Sequence, residues 1–191
     1  MKIAIYDFDG TLYRKKTMNE FSKFYFKKHP AKFIYILIQF YAKFLYSIKL
    51  IGRKRFKEIY LSFFEKIKPA DLKDLIKEFW EREYPVNFRS ELLRQIEKLR
   101  IQNVKILCVS STPEIFIKGI SNRIFLDKVI ATKFVQKEKK YVIEGEDCRG
   151  SEKIRRIKEE FDLNNSSVIV AYSDNLDDLP LIQMAKHSFM Y

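Results

Sequence analysis

Acidic and hydroxyl side chains directly follow three short apolar runs of the sequence. The segments are DFDGT at 7–11, SST at 110–112 and SD at 173–174. Three carboxylates brought together without a cation would repel one another, and a hard divalent cation such as Mg²⁺ relieves that repulsion. A carboxylate, a magnesium ion and hydrogen-bond donors for an anion together form a site suited to phosphoryl transfer.

In such a site the chemistry of each group defines its task. We expect Asp7 to attack phosphorus as the nucleophile, because a covalent intermediate divides one difficult displacement into two easier ones. Asp9 is placed to protonate the leaving oxygen and then to deprotonate a water. Ser110 and a lysine would bind the phosphoryl oxygens and offset charge in the transition state. The candidate metal ligands are Asp7, Asp9 and Asp174.

The elements that must position these residues alternate between strands and helices. Apolar runs predict strands at 2–6, 104–109, 129–130, 168–172 and 189–191. Helices are predicted after 90, 113 and 151 and over 176–185, and charge alternation around a basic tip at 134–144 predicts a hairpin. This order is typical of an α/β fold with a parallel sheet, in which ligands bind at the carboxyl ends of the strands.

A block of helices interrupts the alternation after the first strand. Thr17, three residues before Glu20, indicates a capping box at the start of a helix. Further helices are predicted over 31–51, over 53–67 and from Pro69 to a break at Pro85. We therefore predict a Rossmann-like core of residues 1–14 and 88–191 with an inserted all-helical cap of residues 15–87.

The positive charge is concentrated in the predicted cap. The chain has a net charge of +12, and residues 14–68 contain 15 Lys and Arg against 3 acids, an excess that equals the whole net charge. A basic lobe favours an anionic substrate or partner, although lysines on a solvated face would give the same pattern. Only two cysteines occur, without a Cys/His cluster, so neither a disulfide framework nor a zinc site is expected.

Four segments, in order, resemble the signatures of the haloacid dehalogenase-like (HAD) hydrolase superfamily. They are DFDGTL at 7–12, ILCVSS at 106–111, CRGSEKI at 148–154 and AYSDNLDDLPLI at 171–182. The resemblance implies that Ser110 and Lys153 bind phosphate and that Asp174 is a metal ligand. It also implies that Asp178 contacts residues of the site without binding the metal itself. Gly10 and Thr11 are further phosphate-binding candidates, although Thr11 equally fits a hydrogen bond within the turn. Ser111 and Thr112 are expected to cap the following helix.

The resemblance also narrows the reaction and the substrate. Asp9 points to a phosphatase or phosphotransferase, since dehalogenases of the superfamily lack this second aspartate. A cap inserted after the first motif is similar to that of the phosphoserine-phosphatase-like subfamily. Lys16 stands where phosphoserine phosphatases carry a glutamate, so a more anionic substrate than phosphoserine is expected. Ser173 replaces a glycine of many relatives, and little effect is expected because a small residue is kept.

The segment FIYILIQFYA at 33–42 is unusually apolar for a basic lobe. Its ten uncharged residues lie between Lys32 and Lys43 and are too few to span a membrane, which takes roughly twenty. Lys32, Gln39, Lys43 and Ser47 would form one narrow polar stripe of a helix. We interpret the rest of that helix as core of the cap. The alternative is a basic, aromatic surface that rests on an anionic membrane.

The preferred prediction is a cytoplasmic, Mg²⁺-dependent phosphatase of a small, strongly anionic metabolite. The alternative enzyme is a lipid-phosphate phosphatase of the phosphatidylglycerophosphate type, peripheral to the membrane and docked through its cap. An alternative from another class is a nucleic-acid binding module. It is disfavoured, because the aromatic residues recur at helical core spacing and an acidic rim would repel nucleic acid phosphates.

Overall fold

Five parallel strands form the central sheet. A computed structural model describes residues 1–138, 140–163 and 167–191. The strands in chain order are β1 (Lys2–Tyr6), β2 (Lys105–Pro113), β3 (Lys128–Thr132), β4 (Phe134–Lys137), β5 (Lys140–Ile143), β6 (Ser167–Ser173) and β7 (His187–Met190). The sheet has the order β3-β2-β1-β6-β7 with parallel pairing throughout, and this confirms the predicted α/β class.

The central strand β1 is buried on both faces. Ile3 and Ile5 point into one hydrophobic cluster, whereas Ala4 and Tyr6 point into another on the opposite face, and all four are fully buried. This alternation follows from the two-residue period of a strand. Because β2 lies on one side of β1 and β6 on the other, the strand order reverses at β1. The crevice at the carboxyl ends of β1 and β6 is therefore where a ligand is expected.

Eight helices are assigned among the described residues, five of them between β1 and β2, and the first four of these lie in the predicted cap. They are α1 (Thr17–Lys28), α2 (Ile34–Ser47), α3 (Arg53–Tyr60), α4 (Pro69–Glu83), α5 (Ser90–Ile101), α6 (Glu114–Lys118), α7 (Ser151–Glu160) and α8 (Leu179–Ile182). Short 3₁₀ helices cover Pro30–Lys32, Ser62–Lys66 and Leu176–Asp178.

Three predicted helices are shorter than the sequence pattern indicated. The helix predicted over 31–51 ends at Ser47, and Lys49 just beyond it has a left-handed φ of 61°. The helix predicted over 53–67 ends at Tyr60 and gives way to a 3₁₀ turn. The helix predicted over 176–185 is divided, and Pro180 stands in the first turn of α8, where a missing N–H is tolerated.

The two ends of the inserted block lie side by side. The Arg14 amide donates to the Asn87 carbonyl (2.9 Å), and the Arg89 amide donates to the Leu12 carbonyl (3.0 Å). The chain thus leaves and re-enters the α/β part at one place, near the predicted boundaries. We use the word cap for residues 15–87.

The cap and the α/β part share one hydrophobic cluster. Trp80 of α4 is 1% exposed, and its indole N–H donates to the Phe116 carbonyl of α6 (2.8 Å). Its ring meets that of Phe8 edge to face at 5.6 Å. A buried tryptophan of this kind contributes about 3–5 kcal/mol when compared with alanine. The position of the cap on the sheet is therefore fixed by packing as well as by its two connections.

The predicted hairpin is confirmed, and it packs against the cap. β4 and β5 pair antiparallel, and the rings of Phe134 and Tyr141 lie 6.0 and 5.6 Å from that of Phe64 in the cap. The Ile143 amide donates to the Glu58 side chain (3.1 Å). Lys139, in the predicted basic tip, lies outside the described residues.

Candidate active site

Asp7 follows β1 and is 6% exposed. Its amide donates to the Tyr172 carbonyl of β6 (2.9 Å), which holds the residue at the crevice between the two strands. Its Oδ1 accepts from the Phe8 amide (2.7 Å) and lies 3.2 Å from Lys153 Nζ. Burial raises the pKa of Asp7 above its ordinary value, while Lys153 opposes that shift. The carboxylate is therefore fixed in orientation, with one oxygen engaged by two donors.

Lys153 connects the carboxylates at the ends of β1 and β6. It lies on α7, is 2% exposed, and donates to Asp178 Oδ2 (2.6 Å), which also accepts from the Ser173 hydroxyl (2.6 Å). Although burial acts in the opposite direction, Asp7 and Asp178 raise the pKa of Lys153, so it stays protonated. Ser173 thus has a bonding role that a glycine could not have.

The carboxylate of Asp9 is held by the first helix of the cap. It accepts from the Thr17 amide at Oδ2 (3.0 Å) and from the Thr17 hydroxyl at Oδ1. The predicted capping box is therefore wrong, because the Thr17 hydroxyl binds Asp9 and Lys16 is the N-terminal flanking residue of α1. Burial raises the pKa of Asp9 to about 6, and the Thr17 bonds oppose the shift.

An ammonium group lies between Asp9 and Asp174. Lys16 Nζ donates to the main-chain oxygen of Asp9 (3.0 Å) and to Asp174 Oδ2 (2.7 Å). Gly10 makes this approach possible, since a Cβ on it would lie 1.9 Å from Asp174 Oδ2 and its φ is +91°. The position between these oxygens is thus suited to a positive charge.

The donors around this position fit Mg²⁺, with one correction to the predicted ligand set. The Asp9 carboxylate is turned to Thr17, so only its main-chain oxygen faces Asp174. Over the described ranges, no group of three or more His, Cys, Asp and Glu side chains could hold a metal. Two carboxylates, from Asp7 and Asp174, with one carbonyl oxygen still suit Mg²⁺, which binds few protein ligands and keeps several waters.

Ser110, Ser111 and Thr112 belong to the end of β2. The expected helix cap at Ser111 and Thr112 is wrong, because the strand runs on to Pro113 and α6 begins without a side-chain cap. Ser110 is 1% exposed, its hydroxyl accepts from the Thr112 amide (3.2 Å), and its proximity acts to lower the pKa of Asp7, against the larger effect of burial. Its predicted role as a phosphate ligand is compatible with this position.

Gly10 and Thr11 differ from their predicted role. Their amides are used inside the turn, Gly10 donating to the Tyr13 carbonyl (2.6 Å) and Thr11 to that of Phe8 (3.2 Å). The Thr11 side chain is fully buried, with no hydrogen-bond partner for its hydroxyl among the residues that the structure describes. Neither residue lines the cavity described next, so their amides and the Thr11 hydroxyl are not placed to bind phosphate.

A cavity of about 410 Å³ opens over Asp7 and Asp9, between the cap and the sheet. Asp7, Asp9, Ser110 and Asp174 lie in its wall. Five cationic side chains join them: Lys16, Lys43, Arg53, Lys57 and Arg149. Its volume is in the range of small-ligand sites, and its five cations outnumber the three carboxylates in its wall. Asp147 and Asp177, outside the wall, pair with Arg53, Lys57 and Arg149, whereas Lys43 has no acidic partner among the described residues. The cavity therefore favours a small anionic ligand.

Asp147 fastens the cap to the α/β part beside this cavity. Its carboxylate pairs with Arg53 Nε (2.8 Å) and with Lys57 Nζ of α3, and it accepts from the Thr132 hydroxyl (2.8 Å). Although burial acts in the opposite direction, the charges and hydrogen bonds of Lys57 and Arg53 hold the pKa of Asp147 below its ordinary value. Lys57 Nζ also donates to the Ser111 carbonyl.

A family model described as haloacid dehalogenase-like hydrolase matches residues 4–183. The chain belongs to this family. The match confirms the resemblance predicted from the four segments, and with it the expectation of a hydrolase. None of the curated protein sequences compared with this HAD-like hydrolase is significantly similar to it.

Solved structures share the fold of this HAD-like hydrolase at low sequence identity. A Bordetella pertussis protein of unknown function is 17% identical with a TM-score of 0.87, covering 99% of this chain and 89% of that one. A phosphoserine phosphohydrolase-like protein from Francisella tularensis is also 17% identical, with a TM-score of 0.60 and coverage of 99% and 95%. A phospho-aspartyl intermediate analogue of phosphoserine phosphatase is 20% identical, with a TM-score of 0.53 and coverage of 99% and 85%.

In the HAD-like hydrolase, the directions of the side chains on α2 contradict our interpretation of the apolar segment at 33–42 as core of the cap. Gln39 is 7% exposed and donates to the Ser22 hydroxyl (2.9 Å) and to the Tyr60 carbonyl (3.0 Å). Lys43 Nζ lies 5.4 Å above the Tyr60 ring. Of the polar stripe, Gln39 therefore packs inward, whereas Lys32, Lys43 and Ser47 are exposed, and much of the apolar surface points to solvent as well. The interpretation as cap core is wrong for that surface, and the exposed Phe33, Phe40 and Phe44 do not fit the prediction that the aromatic residues stand at core positions.

The sequence did not single out several residues that shape the site. They are Thr17 as a partner of Asp9, Asp147 as the anchor of α3, and Lys43, Arg53, Lys57 and Arg149 in the cavity wall. The excess of basic residues over 14–68 signalled a cationic cap, but it did not show which of them face the cavity. No helix in the described ranges is long and apolar enough to cross a membrane.

Proposed function

We propose that this HAD-like hydrolase is a Mg²⁺-dependent phosphatase that hydrolyses a phosphate monoester through an aspartyl-phosphate on Asp7. The observation that carries the proposal is the arrangement of the carboxylates of Asp7 and Asp9. Asp7 is oriented by the Phe8 amide and by Lys153, whereas Asp9 is anchored separately by Thr17. Two carboxylates with different partners can take different tasks, one as nucleophile and one as proton carrier.

In the first step, an oxygen of Asp7 forms a bond to phosphorus as the bond to the leaving oxygen breaks. Asp9 gives its proton to the leaving oxygen, and its pKa of about 6 keeps a fraction of it protonated near neutral pH. Lys153 Nζ, 3.2 Å from Asp7 Oδ1, is within reach of a phosphoryl oxygen and would offset its charge.

In the second step, Asp9 takes a proton from a water whose oxygen attacks phosphorus. The bond between phosphorus and Asp7 breaks, so inorganic phosphate leaves and Asp7 is restored as a carboxylate. Mg²⁺, held by Asp7, Asp174 and the Asp9 carbonyl, would supply charge neutralisation on the phosphoryl oxygens. Lys16 must release these oxygens when the metal binds.

The preferred substrate is a small metabolite with a further anionic group besides the phosphate. Lys43 and Arg53, both from the cap, face the cavity that holds Asp7. A second anion on the substrate would pair with Lys43 and with the part of the Arg53 guanidinium that does not bind Asp147, since neither side chain is used by the two chemical steps. The cytoplasmic location expected for such an enzyme stays a prediction.

The proposed activity is tested by measuring release of inorganic phosphate from a panel of phosphorylated metabolites. Wild type, Asp7→Asn and the exposed control Asp74→Asn are compared with Mg²⁺ and with EDTA. We expect wild type and the control to release phosphate with Mg²⁺ but not with EDTA. The rate of release should fall more than about a thousandfold in Asp7→Asn. Equal release by Asp7→Asn and wild type would contradict the proposal.

A second candidate is a lipid-phosphate phosphatase, favoured by the exposed apolar face of α2. The same chemistry would then act on a phosphate monoester in a lipid head group. Presenting phosphatidylglycerophosphate in detergent or vesicles, beside the metabolite panel, separates the two substrates. Higher kcat/KM on the lipid would favour this candidate, and turnover of metabolites alone would exclude it.

A further inference from the structure

The outer face of α2 is apolar although it faces solvent. Phe33, Leu37, Phe40, Phe44 and Ile48 are each 48–65% exposed, and their spacing of three to four residues places them along one side. Ile34, Tyr41 and Leu50 are exposed beside them. We call these eight residues the α2 face. A contiguous apolar surface of this kind marks a place where another apolar surface binds.

Positive charge surrounds the α2 face, and its segment contains no acid. Residues 21–57 contain ten Lys and Arg but no Asp or Glu. Lys23, Lys28, Arg53, Arg55 and Lys57 pair with acids outside the segment, and the other five basic residues pair with no acid among the described residues. Lys32 and Lys49 are exposed at the two ends of α2, and Lys54 and Arg55 are exposed on α3, which packs against α2. A partner for this surface must therefore be apolar in part and anionic in part.

We propose that the α2 face docks on an anionic phospholipid surface. Aromatic and aliphatic side chains on one side of a helix enter the boundary between head groups and acyl chains, while flanking lysines meet lipid phosphates. With 14 residues, α2 is about 21 Å long and lies on such a surface without spanning it.

Two other occupants fit the same face less well. In a symmetric dimer the face would meet itself and bring two acid-free basic segments together, which would repel each other. A nucleic acid would match the charge and could stack on Phe40 or Phe44, but Leu37 and Ile48 offer no flat ring to a base. A lipid surface satisfies both the aliphatic side chains and the lysines.

Docking through α2 would bring the cavity close to the lipid. Lys43 of α2 and Arg53 of α3 line the cavity that holds Asp7, so the docking face and the cavity share helices. This inference goes beyond the proposed function, because docking needs no turnover. A binding measurement can therefore fail or succeed independently of phosphate release.

The test is co-sedimentation of the full chain with phosphatidylcholine vesicles that contain or lack phosphatidylglycerol. Wild type is expected to bind the anionic vesicles and to bind neutral ones weakly. Leu37→Ser combined with Phe44→Ser should lower the binding constant by more than about tenfold, since two apolar side chains no longer insert. Lys32→Glu combined with Lys49→Glu should lower it by more than about tenfold as well.

Matched double variants control for the number and type of changes. Val86→Ser with Ile101→Ser removes two side chains that are 78% and 84% exposed outside the α2 face, and Lys77→Glu with Lys98→Glu makes the same charge change on α4 and α5. Both controls should bind like wild type, and all variants should keep the wild-type melting temperature because the changed side chains are exposed.

Several outcomes would overturn the proposal. The proposal is wrong if the wild-type protein does not bind anionic vesicles. It is also wrong if the α2-face variants bind them as tightly as the wild-type protein does. A concentration-dependent dimer that is lost in the Leu37 and Phe44 variant, without vesicle binding, would assign the face to a second copy. Binding of a single-stranded oligonucleotide in place of vesicles would assign it to nucleic acid.

Discussion

The Thr17 hydroxyl donates a hydrogen bond to the Asp9 carboxylate, so the first turn of the cap holds the proposed proton carrier. The Thr17 amide donates to the same carboxylate (3.0 Å), and burial raises the pKa of Asp9 to about 6. The position of α1 and the protonation of Asp9 are therefore linked. A displacement of the cap would change both the orientation and the acidity of this group.

Thr17→Val should lower kcat and shift the pH profile of kcat/KM. The first step needs protonated Asp9, so kcat/KM should fall as pH rises through about 6. The Thr17 hydroxyl stabilises the charged carboxylate, and its loss should move that fall upward by about one pH unit. We expect kcat to decrease about tenfold because the carboxyl is less well oriented. Thr17→Ser keeps the hydroxyl and should resemble wild type, whereas an unshifted profile in Thr17→Val would refute the link.

Lys16→Met should lower the Mg²⁺ concentration that gives half-maximal activity. The Lys16 ammonium occupies the position between the Asp9 carbonyl and the Asp174 carboxylate, where we place the metal. Removing this competing cation should decrease the half-saturating concentration about tenfold. Lys15→Met is the control, since Lys15 pairs with Glu83 instead. A Mg²⁺ requirement that is unchanged or higher in Lys16→Met would place the metal elsewhere.

Lys43→Met should weaken binding of substrates that carry a second anionic group. Lys43 lines the cavity but has no part in the proposed steps, so the change should raise KM about tenfold and leave kcat within about twofold. Lys32→Met removes an exposed lysine that does not line the cavity and should leave both constants unchanged. If KM rises equally for substrates without the second anion, Lys43 does not select for that group.

Asp147→Asn should destabilise the fold, and the loss should depend on pH. The variant leaves Lys57 buried without its carboxylate, which costs about 3 kcal/mol of unfolding free energy at neutral pH. The pKa of Asp147 is lowered in the folded chain, so its contribution is present above the ordinary carboxyl pKa and is lost as pH falls through the lowered value.

Urea unfolding of wild type and Asp147→Asn, from neutral pH down to acidic pH, measures this difference. The difference in unfolding free energy between the two proteins should be largest near neutral pH. It should shrink as the pH falls below the ordinary pKa of an aspartate carboxyl. The exposed Asp74→Asn serves as the control and should match wild type. A difference in unfolding free energy that does not change with pH would mean that the charge of Asp147 does not stabilise the fold.

Local pattern was sufficient to predict the sheet and its acidic edge. β1 and β2 are both short, continuous apolar runs, and this pattern is visible within a short window of the sequence. Asp7, Ser110 and Asp174 then fall at the same edge because parallel strands end together. Ser110 and Asp174 come from distant parts of the chain, yet strand order alone brings them to Asp7.

Side-chain direction in the cap could not be predicted in the same way. The spacing of Gln39 and Lys43 identifies one stripe of α2, but it does not tell whether that stripe faces the protein or the solvent. The Ser22 hydroxyl and the Tyr60 carbonyl decide the direction of Gln39, because they give it buried hydrogen-bond partners from other segments, whereas Lys43 stays exposed. The role of Thr17 was missed for a similar reason, since its partner Asp9 precedes the helix.

Chemical trapping of the phosphorylated aspartate tests the proposed mechanism most directly. Wild type with Mg²⁺ and its best substrate from the panel is quenched during turnover and reduced with labelled borohydride, which converts an aspartyl-phosphate to labelled homoserine. Peptide mass spectrometry should find the label at position 7 in wild type, and none in Asp7→Asn or in EDTA. Steady release of phosphate without label at position 7, or with label at another carboxylate, would contradict Asp7 as the nucleophile.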